Sequence, residues 1–268
     1  MLKEIIEEVE LALDAVYKKM VKEDPLSYVL LIGRADVDPI IKNYLSSECV
    51  IDYQLDRYYD ETREGFYLRY LNRNYKRDGF HYEGIEGIDD LSIEMMIYDH
   101  LWDSTYFLKS LVRISAILTG KGYIWKPEIP ENGKWTFLQN QIINPLKNNG
   151  VVLGDIVEKG YSSDIRNAFA HALYNVDIEH KTITLRPKRT GDKTISFDDF
   201  QRKFLYSVIL MNKMQIALEQ NHNELCRNGC ITKPFLTPDG IKVQVKAEML
   251  IMGDKKRPAY KIVRIVED

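Results

Sequence analysis

Leu2, Ile5, Ile6, Val9, Leu13, Val16, Tyr17 and Met20 recur every three to four residues, which lays apolar side chains along one face of a helix. This pattern predicts a first amphipathic helix that ends before Pro25, whose ring is not tolerated inside a helix. Asp38-Pro39 predicts the start of a second, because Asp caps exposed N–H groups and proline has none to lose at the first helical position. That helix would run through Ile40, Ile41, Tyr44 and Leu45 toward the tyrosines of Tyr53–Tyr59. Phe66 to Tyr75 continues as helix until Gly79, Gly84 and Gly87 interrupt it. From Asp89-Asp90 the period of Ile93, Met96, Ile97, Leu101, Leu108, Leu111, Val112, Ser115 and Leu118 predicts one unbroken helix of roughly 30 residues, stopping at Gly120.

Residues 121–133 read as loop, punctuated by Pro127, Pro130 and Asn132-Gly133. A helix from Lys134 to Leu146 follows, ended early or kinked by Pro145. Ser162 to Tyr174 reads as another helix, with Ile165, Phe169, Ala172 and Val176 on its inward side. The period then falls to two: Val176 to Arg186 alternates apolar and polar with β-branched residues, as a strand does. Lys193 to Phe197 is its expected partner across Arg189-Thr190-Gly191-Asp192. Ser196-Phe197-Asp198-Asp199 leads into a last long helix, Phe200 to about Cys226. Val243, Val245, Ile251, Tyr260, Ile262, Val263, Ile265 and Val266 predict two or three strands around Gly253-Asp254. The expected class is mainly α, divided into an N-terminal helical extension (1–88), a helical domain (89–228) and a small C-terminal β appendage (229–268).

At 268 residues, 45% hydrophobic and 29% charged, the composition is that of an ordinary globular chain. No run approaches the ~18 apolar residues of a membrane-spanning helix, so no membrane partner is expected. Met1-Leu2-Lys3-Glu4-Ile5-Ile6-Glu7-Glu8 is acidic and amphipathic, unlike a secretory signal. Three cysteines fit a reducing cytoplasm better than a disulfide framework. A net charge of -3 excludes nucleic-acid binding through bulk charge and leaves only local patches. His222, Cys226 and Cys230 fall four apart and match no structural zinc pattern. Phosphate-loop, dinucleotide and His-Glu-x-x-His signatures are all missing, so neither a metal nor another cofactor is expected.

The chemistry gathers in Ser162-Ser163-Asp164-Ile165-Arg166-Asn167-Ala168-Phe169-Ala170-His171-Ala172-Leu173-Tyr174. On a helix Asn167 and His171 share a face, and Asp164 and Tyr174 extend the stripe at either end. Arg166 lies about 140° from His171, so only its long side chain would bring the guanidinium beside the imidazole. A permanent cation, an amide and a group of the kind that titrates near neutral pH suit a phosphodiester. Asp164 would either orient His171 or complement the helix dipole, and Tyr174 is expected to be half-buried. The bland readings of the same residues are a solvated helix face, or a scaffold in which Arg166 pairs with Asp164.

Arg166-Asn167-x-x-x-His171 resembles the Arg-x(4–6)-His signature, with Asn after Arg, of HEPN-superfamily ribonucleases. The order that follows, a short β-hairpin and then a long helix, is similar to the HEPN domains of bacterial anti-phage, ApeA-like proteins, over about residues 89–225. Some HEPN toxins carry a Tyr two residues after the His, whereas Tyr174 stands three after His171. The resemblance implies a HEPN-like helical bundle with an inserted hairpin. It implies a metal-independent endoribonuclease of a toxin–antitoxin or anti-phage system, with a separate antitoxin or sensor as a conceivable partner. His171 would act as acid or base on the 2′-hydroxyl or the leaving 5′-oxygen, with Asn167 orienting a reacting group. Arg166 would stabilise the phosphate, and a 2′,3′-cyclic phosphate would be the product. It also implies a homodimer with two motif helices facing across a two-fold axis. The alternative is a non-catalytic HEPN module that binds RNA, a nucleotide or a protein.

Two stretches offer an RNA-holding surface. Arg57 to Tyr82 interleaves Arg69, Arg73, Lys76 and Arg77 with Tyr67, Tyr70 and Tyr75, cations for phosphates and rings for unpaired bases. The same spacing suits an amphipathic helix whose arginines pair with Asp56, Asp60, Glu61 and Glu64. The second patch, Lys181, Arg186, Lys188, Arg189 and Lys193, lies on the hairpin after the motif.

Overall fold

The computed structural model describes residues 1–32, 49–51, 85, 87–124, 127–186, 191–228, 235–236, 242–252 and 255–264, and they are mainly helical. The face expected of the first helix is the one that packs: in α1 (Leu2–Glu23), Ile5, Val9, Ala12, Leu13, Val16, Tyr17 and Met20 are buried. A second short helix, α2 (Pro25–Ile32), follows at once, and Ser27 through Ile32 are all buried. Surrounded on every side, it shows no amphipathic period to read in advance. The Asp24 carboxylate accepts the Ser27 N–H at 3.0 Å and closes the corner.

The single long helix expected from Asp89 is two helices, α3 (Ile88–Asp103) and α4 (Thr105–Leu118). Ser104 breaks it, with an extended backbone (φ -64, ψ 112) and an Oγ that accepts the Phe107 N–H at 3.3 Å. Asp103, Ser104 and Thr105 each carry a side chain that competes for backbone hydrogen bonds, which favours a cap over a helix interior. The helix expected over Lys134 to Leu146 is also divided, into α5 (Lys134–Leu138), a π turn (Gln139–Ile143) and α6 (Asn144–Asn148). Pro145 stands in the first turn of α6, where its missing N–H costs nothing. The next helix, α7 (Leu153–Gly160), buries Leu153, Ile156 and Val157.

The motif helix, α8 (Ser163–Ala170), is shorter than expected. Ser162 caps it by accepting the Ile165 N–H at 3.4 Å, His171 closes it, and Ala172 turns the chain with a left-handed φ of 52°. Tyr174 and Val176 therefore lie in a strand, β2 (Tyr174–Asp177). The one strand expected from Val176 to Arg186 is in fact a hairpin, β2 with β3 (Thr182–Leu185), and β4 (Lys193–Ser196) adds a third antiparallel strand. The Asp177 carboxylate makes the turn by accepting the His180 N–H at 2.9 Å, a local bond that ends the alternation. Ser196 and Asp199 then cap each other, and α9 (Phe197–Asn228) begins slightly earlier than expected. Buried Phe200, Phe204, Val208, Met211 and Met214 make α9 the strut against which α1, α3 and α7 pack in one core.

β5 (Phe235–Leu236), β6 (Lys242–Met252) and β7 (Lys255–Arg264) form an antiparallel sheet, joined on the outer edge of β7 by β1 (Cys49–Ile51). Cys49–Ile51 thus corrects the helix drawn from Asp38 toward Tyr53: its two β-branched residues pair as strand with Tyr260–Ile262. The remainder of that helix, and the one over Phe66 to Tyr75, lie outside the described residues. Among the described residues no helix is long and apolar enough to cross a membrane.

Candidate functional site

The break at Ser104 is what builds the site, because it lets α3 end with two adjacent stripes of side chains facing α7, α8 and α9. Tyr98 and Trp102 form the first stripe and Asp99 and Asp103 the second, each pair one helical turn apart. The Tyr98 hydroxyl donates to the Gly160 carbonyl at 2.8 Å and accepts the Ser162 N–H at 2.6 Å, so one buried phenol joins the end of α7 to the cap of α8. Trp102 Nε1 donates to Ser207 Oγ at 3.0 Å, and Ser207 Oγ lies 3.1 Å from the same Gly160 carbonyl. The motif helix is therefore fixed in place by α3 and α9 before its own side chains act.

The second stripe meets Arg166. Its Nη2 lies 2.9 Å from both oxygens of Asp103, and its Nε faces Asp99 Oδ1 at 3.4 Å without making a hydrogen bond. Lys134, from α5, donates to the same Asp103 carboxylate and to the Trp102 carbonyl. The Arg166 side chain is only 19% exposed and that of Lys134 only 9%. Burial pushes the Asp103 carboxyl up, but hydrogen bonds from Lys134 and Arg166 outweigh it and hold the group below its ordinary range. Asp99 moves the other way: burial raises its carboxyl, and the Asp103 charge adds to the effect against the weaker opposition of Arg166. The guanidinium edge that remains is Nη1, turned toward Asn167 Oδ1 at 3.3 Å.

Asn167 and His171 are both exposed, and the His171 N–H closes the last turn on the Asn167 carbonyl at 3.2 Å. The His171 imidazole has no hydrogen-bonding partner among the described residues. The Arg166 guanidinium is held by the carboxylates of α3. Two further corrections concern Asp164 and Tyr174. Asp164 does not orient His171 but pairs with Lys193 at 2.5 Å, which also removes the proposed Arg166–Asp164 scaffold pair. Tyr174, half-buried as expected, leaves the polar stripe because it lies in β2, where it stacks on Phe169 with ring centres 5.9 Å apart.

Asp99, Asp103 and Lys134 had no part in the sequence-based site. The signal for the first two was present: acids one turn apart on a helix repel each other, and keeping both on a mostly apolar helix calls for a cation from elsewhere. Of the expected RNA-holding residues, Arg69, Arg73, Lys76, Arg77, Lys188 and Arg189 lie outside the described residues. In the hairpin patch Lys193 is engaged by Asp164, Lys181 is exposed, and Arg186 lies 3.9 Å from Asp192. Among the described residues no three His, Cys, Asp or Glu side chains converge as metal ligands.

The opposite shifts of the two carboxylates carry opposite signs for stability. Asp103, lowered, stabilises the fold above the ordinary carboxyl value of 3.8, and this is lost as pH falls through its folded value. Asp99, raised, favours the fold most below that value, and the gain is lost as pH rises through its folded value. Asp99→Asn, which removes the cost of ionising that site, is expected to melt at or above the wild-type temperature at pH 7, with the difference closing toward pH 4. Thermal melts across that range check this. A lower melting temperature at pH 7 would mean that the Asp99 charge is a net support for Arg166.

No family model, no curated protein and no solved structure matches this chain. The chemistry rests on the residues alone: a guanidinium fixed from behind by carboxylates, an amide at its outer edge, and an exposed imidazole one turn on.

Proposed function

We propose that the protein is a metal-independent endoribonuclease of the HEPN type, acting in the cytoplasm as an arm of a toxin–antitoxin or anti-phage system. The observation that carries this reading is the presentation of Arg166, with Asp103 holding one edge of its guanidinium and Nη1 turned outward to Asn167, on the same short helix as an unengaged His171. A phosphate meeting that edge accepts from Nη1 and from the Asn167 amide, and the imidazole exchanges a proton with the ribose 2′-hydroxyl or the leaving oxygen. The neighbouring hydroxyl is the nucleophile, so the step needs no metal and leaves a 2′,3′-cyclic phosphate and a 5′-hydroxyl. Purified protein incubated with total RNA in excess EDTA, with the product ends analysed, tests the proposal. Unchanged RNA, or ends bearing 5′-phosphate, would count against it.

One chain offers one imidazole, while acid–base cleavage wants a proton acceptor and a donor. A second copy placed across a two-fold axis supplies the complementary group. If one Arg166 and one His171 from different chains suffice for a site, mixing inactive Arg166→Ala and His171→Ala chains is expected to restore roughly a quarter of wild-type activity, because half the dimers are mixed and each has one complete site. Recovery of no activity from chains shown to exchange would rule out a site made of one Arg166 and one His171, and a strictly monomeric protein that still cleaves RNA would refute a composite site.

A specific observation favours a second reading, that of a non-catalytic HEPN module. Asp103 and Asp99 already neutralise Arg166, as in a structural ion pair. Under that reading the wild type binds RNA, nucleotide or protein without cutting RNA.

A further inference from the structure

A ladder of aromatic rings runs from the core to the surface beside the guanidinium. Phe107 meets Trp102 edge-on at 5.5 Å between ring centres, and Trp102 meets Tyr161 edge-on at 5.0 Å. Tyr161 then lies flat against Trp135, centres 5.8 Å apart and planes within 7°. Trp135 ends the ladder and is 40% exposed, although a large indole is usually well covered. Its neighbour Lys134 reaches inward to the Asp103 carboxylate that grips Arg166, and Tyr161 immediately precedes the Ser162 cap of the motif helix. Burial raises the Tyr161 hydroxyl to about 12, so the base of the platform stays neutral.

We infer that Trp135 is a stacking platform for an unpaired base of the RNA substrate, next to the nucleotide whose phosphate meets Arg166. This rests on the ribonuclease reading and names a binding residue for it. Three observations combine. A rigid indole is already backed on one face by Tyr161, so little freedom is lost when a base covers the rest. It stands in the first turn of α5, directly after Lys134, and is partly exposed. And the chain's charge of -3 gives little general attraction for RNA, so holding a single strand calls for stacking beside a local cation. A stacked base is read through its π face, so the preference is for single-stranded over paired RNA and is weak in sequence.

The test measures cleavage of a short single-stranded RNA, and binding of its non-cleavable 2′-O-methyl analogue, for wild type, Trp135→Ala and Trp135→Phe. Trp135→Ala is expected to raise KM and weaken analogue binding about ten-fold while kcat holds, with Trp135→Phe recovering most of the loss. An unchanged KM and unchanged analogue binding in Trp135→Ala overturns the platform and leaves the nuclease standing. A wild type that binds the analogue but does not cut RNA sinks the nuclease reading, while the binding comparison still decides the platform. A wild type that does neither overturns both. A Trp135→Ala protein that changes oligomeric state on a sizing column, with binding per assembled unit unaltered, assigns the indole to a contact between copies and overturns the inference.

Discussion

His171→Ala is expected to abolish RNA cleavage and to leave the melting temperature within about 1–2 °C of wild type, since exposed polar substitutions change stability by less than about 0.5 kcal/mol. The imidazole is exposed and meets no hydrogen-bonding partner among the described residues, so its removal disturbs no packing. Loss of a general acid–base costs on the order of 10²–10⁴-fold in rate. Arg166→Ala is expected to abolish cleavage too, but not as a silent surface change. It strips the partner from two carboxylates, one of them raised already by burial, and leaves Lys134 as the remaining cation on Asp103. Removing one member of a fully buried ion pair costs about 3–5 kcal/mol, and exposed pairs are worth about 0–1; with a side chain 19% exposed, Arg166 falls between, at about 1–3 kcal/mol. Cleavage assays and thermal melts on the same preparations check both statements. His171→Ala cutting RNA at the wild-type rate would end the ribonuclease proposal.

What could be read in advance follows the physics of each element. α1 and α9 carry a long apolar stripe on one side, and a helical period over many residues leaves few alternatives. The break between α3 and α4 was hidden because the apolar positions stay helical on both sides of Ser104, while a single capping side chain reverses the outcome locally. The end of α8 was hidden for a related reason: Ala172 takes a left-handed turn without the glycine that usually announces one. The early end matters chemically, since a helix continuing to Tyr174 would have kept that phenol on the stripe of Asn167 and His171. The placement of Arg166, Asn167 and His171 along one short helix was legible because their spacing is local. Asp99, Asp103, Lys134 and the Trp135–Tyr161 stack were not, because they join segments that only the packing of α3, α5 and α8 brings together.

Asp103→Ala has a large expected effect on both stability and rate. The substitution leaves Arg166 and Lys134, two cations with side chains 19% and 9% exposed, facing each other across a vacated site with Asp99 as the remaining acid. Like charges so enclosed repel with little screening, and the loss is about 2–3 kcal/mol, short of the full buried-pair cost because Asp103 itself is 27% exposed. For a chain of this size that lowers the melting temperature by roughly 5–10 °C. Because Asp103 enters the fold as a depressed carboxyl, the gap between variant and wild type is widest near neutral pH and narrows as pH drops below about 4. The rate effect separates a positioning role from a merely structural one. With the two 2.9 Å bonds gone, the guanidinium loses its aim, and kcat falls by about 10²-fold at temperatures well below the variant's melting point, with Asp103→Asn intermediate because its amide oxygen still accepts one N–H. A wild-type kcat in Asp103→Ala would show that Arg166 does not need its carboxylate. A kcat/KM above wild type would show instead that the carboxylate competes with the substrate phosphate for the guanidinium, making Asp103 a restraint on the site.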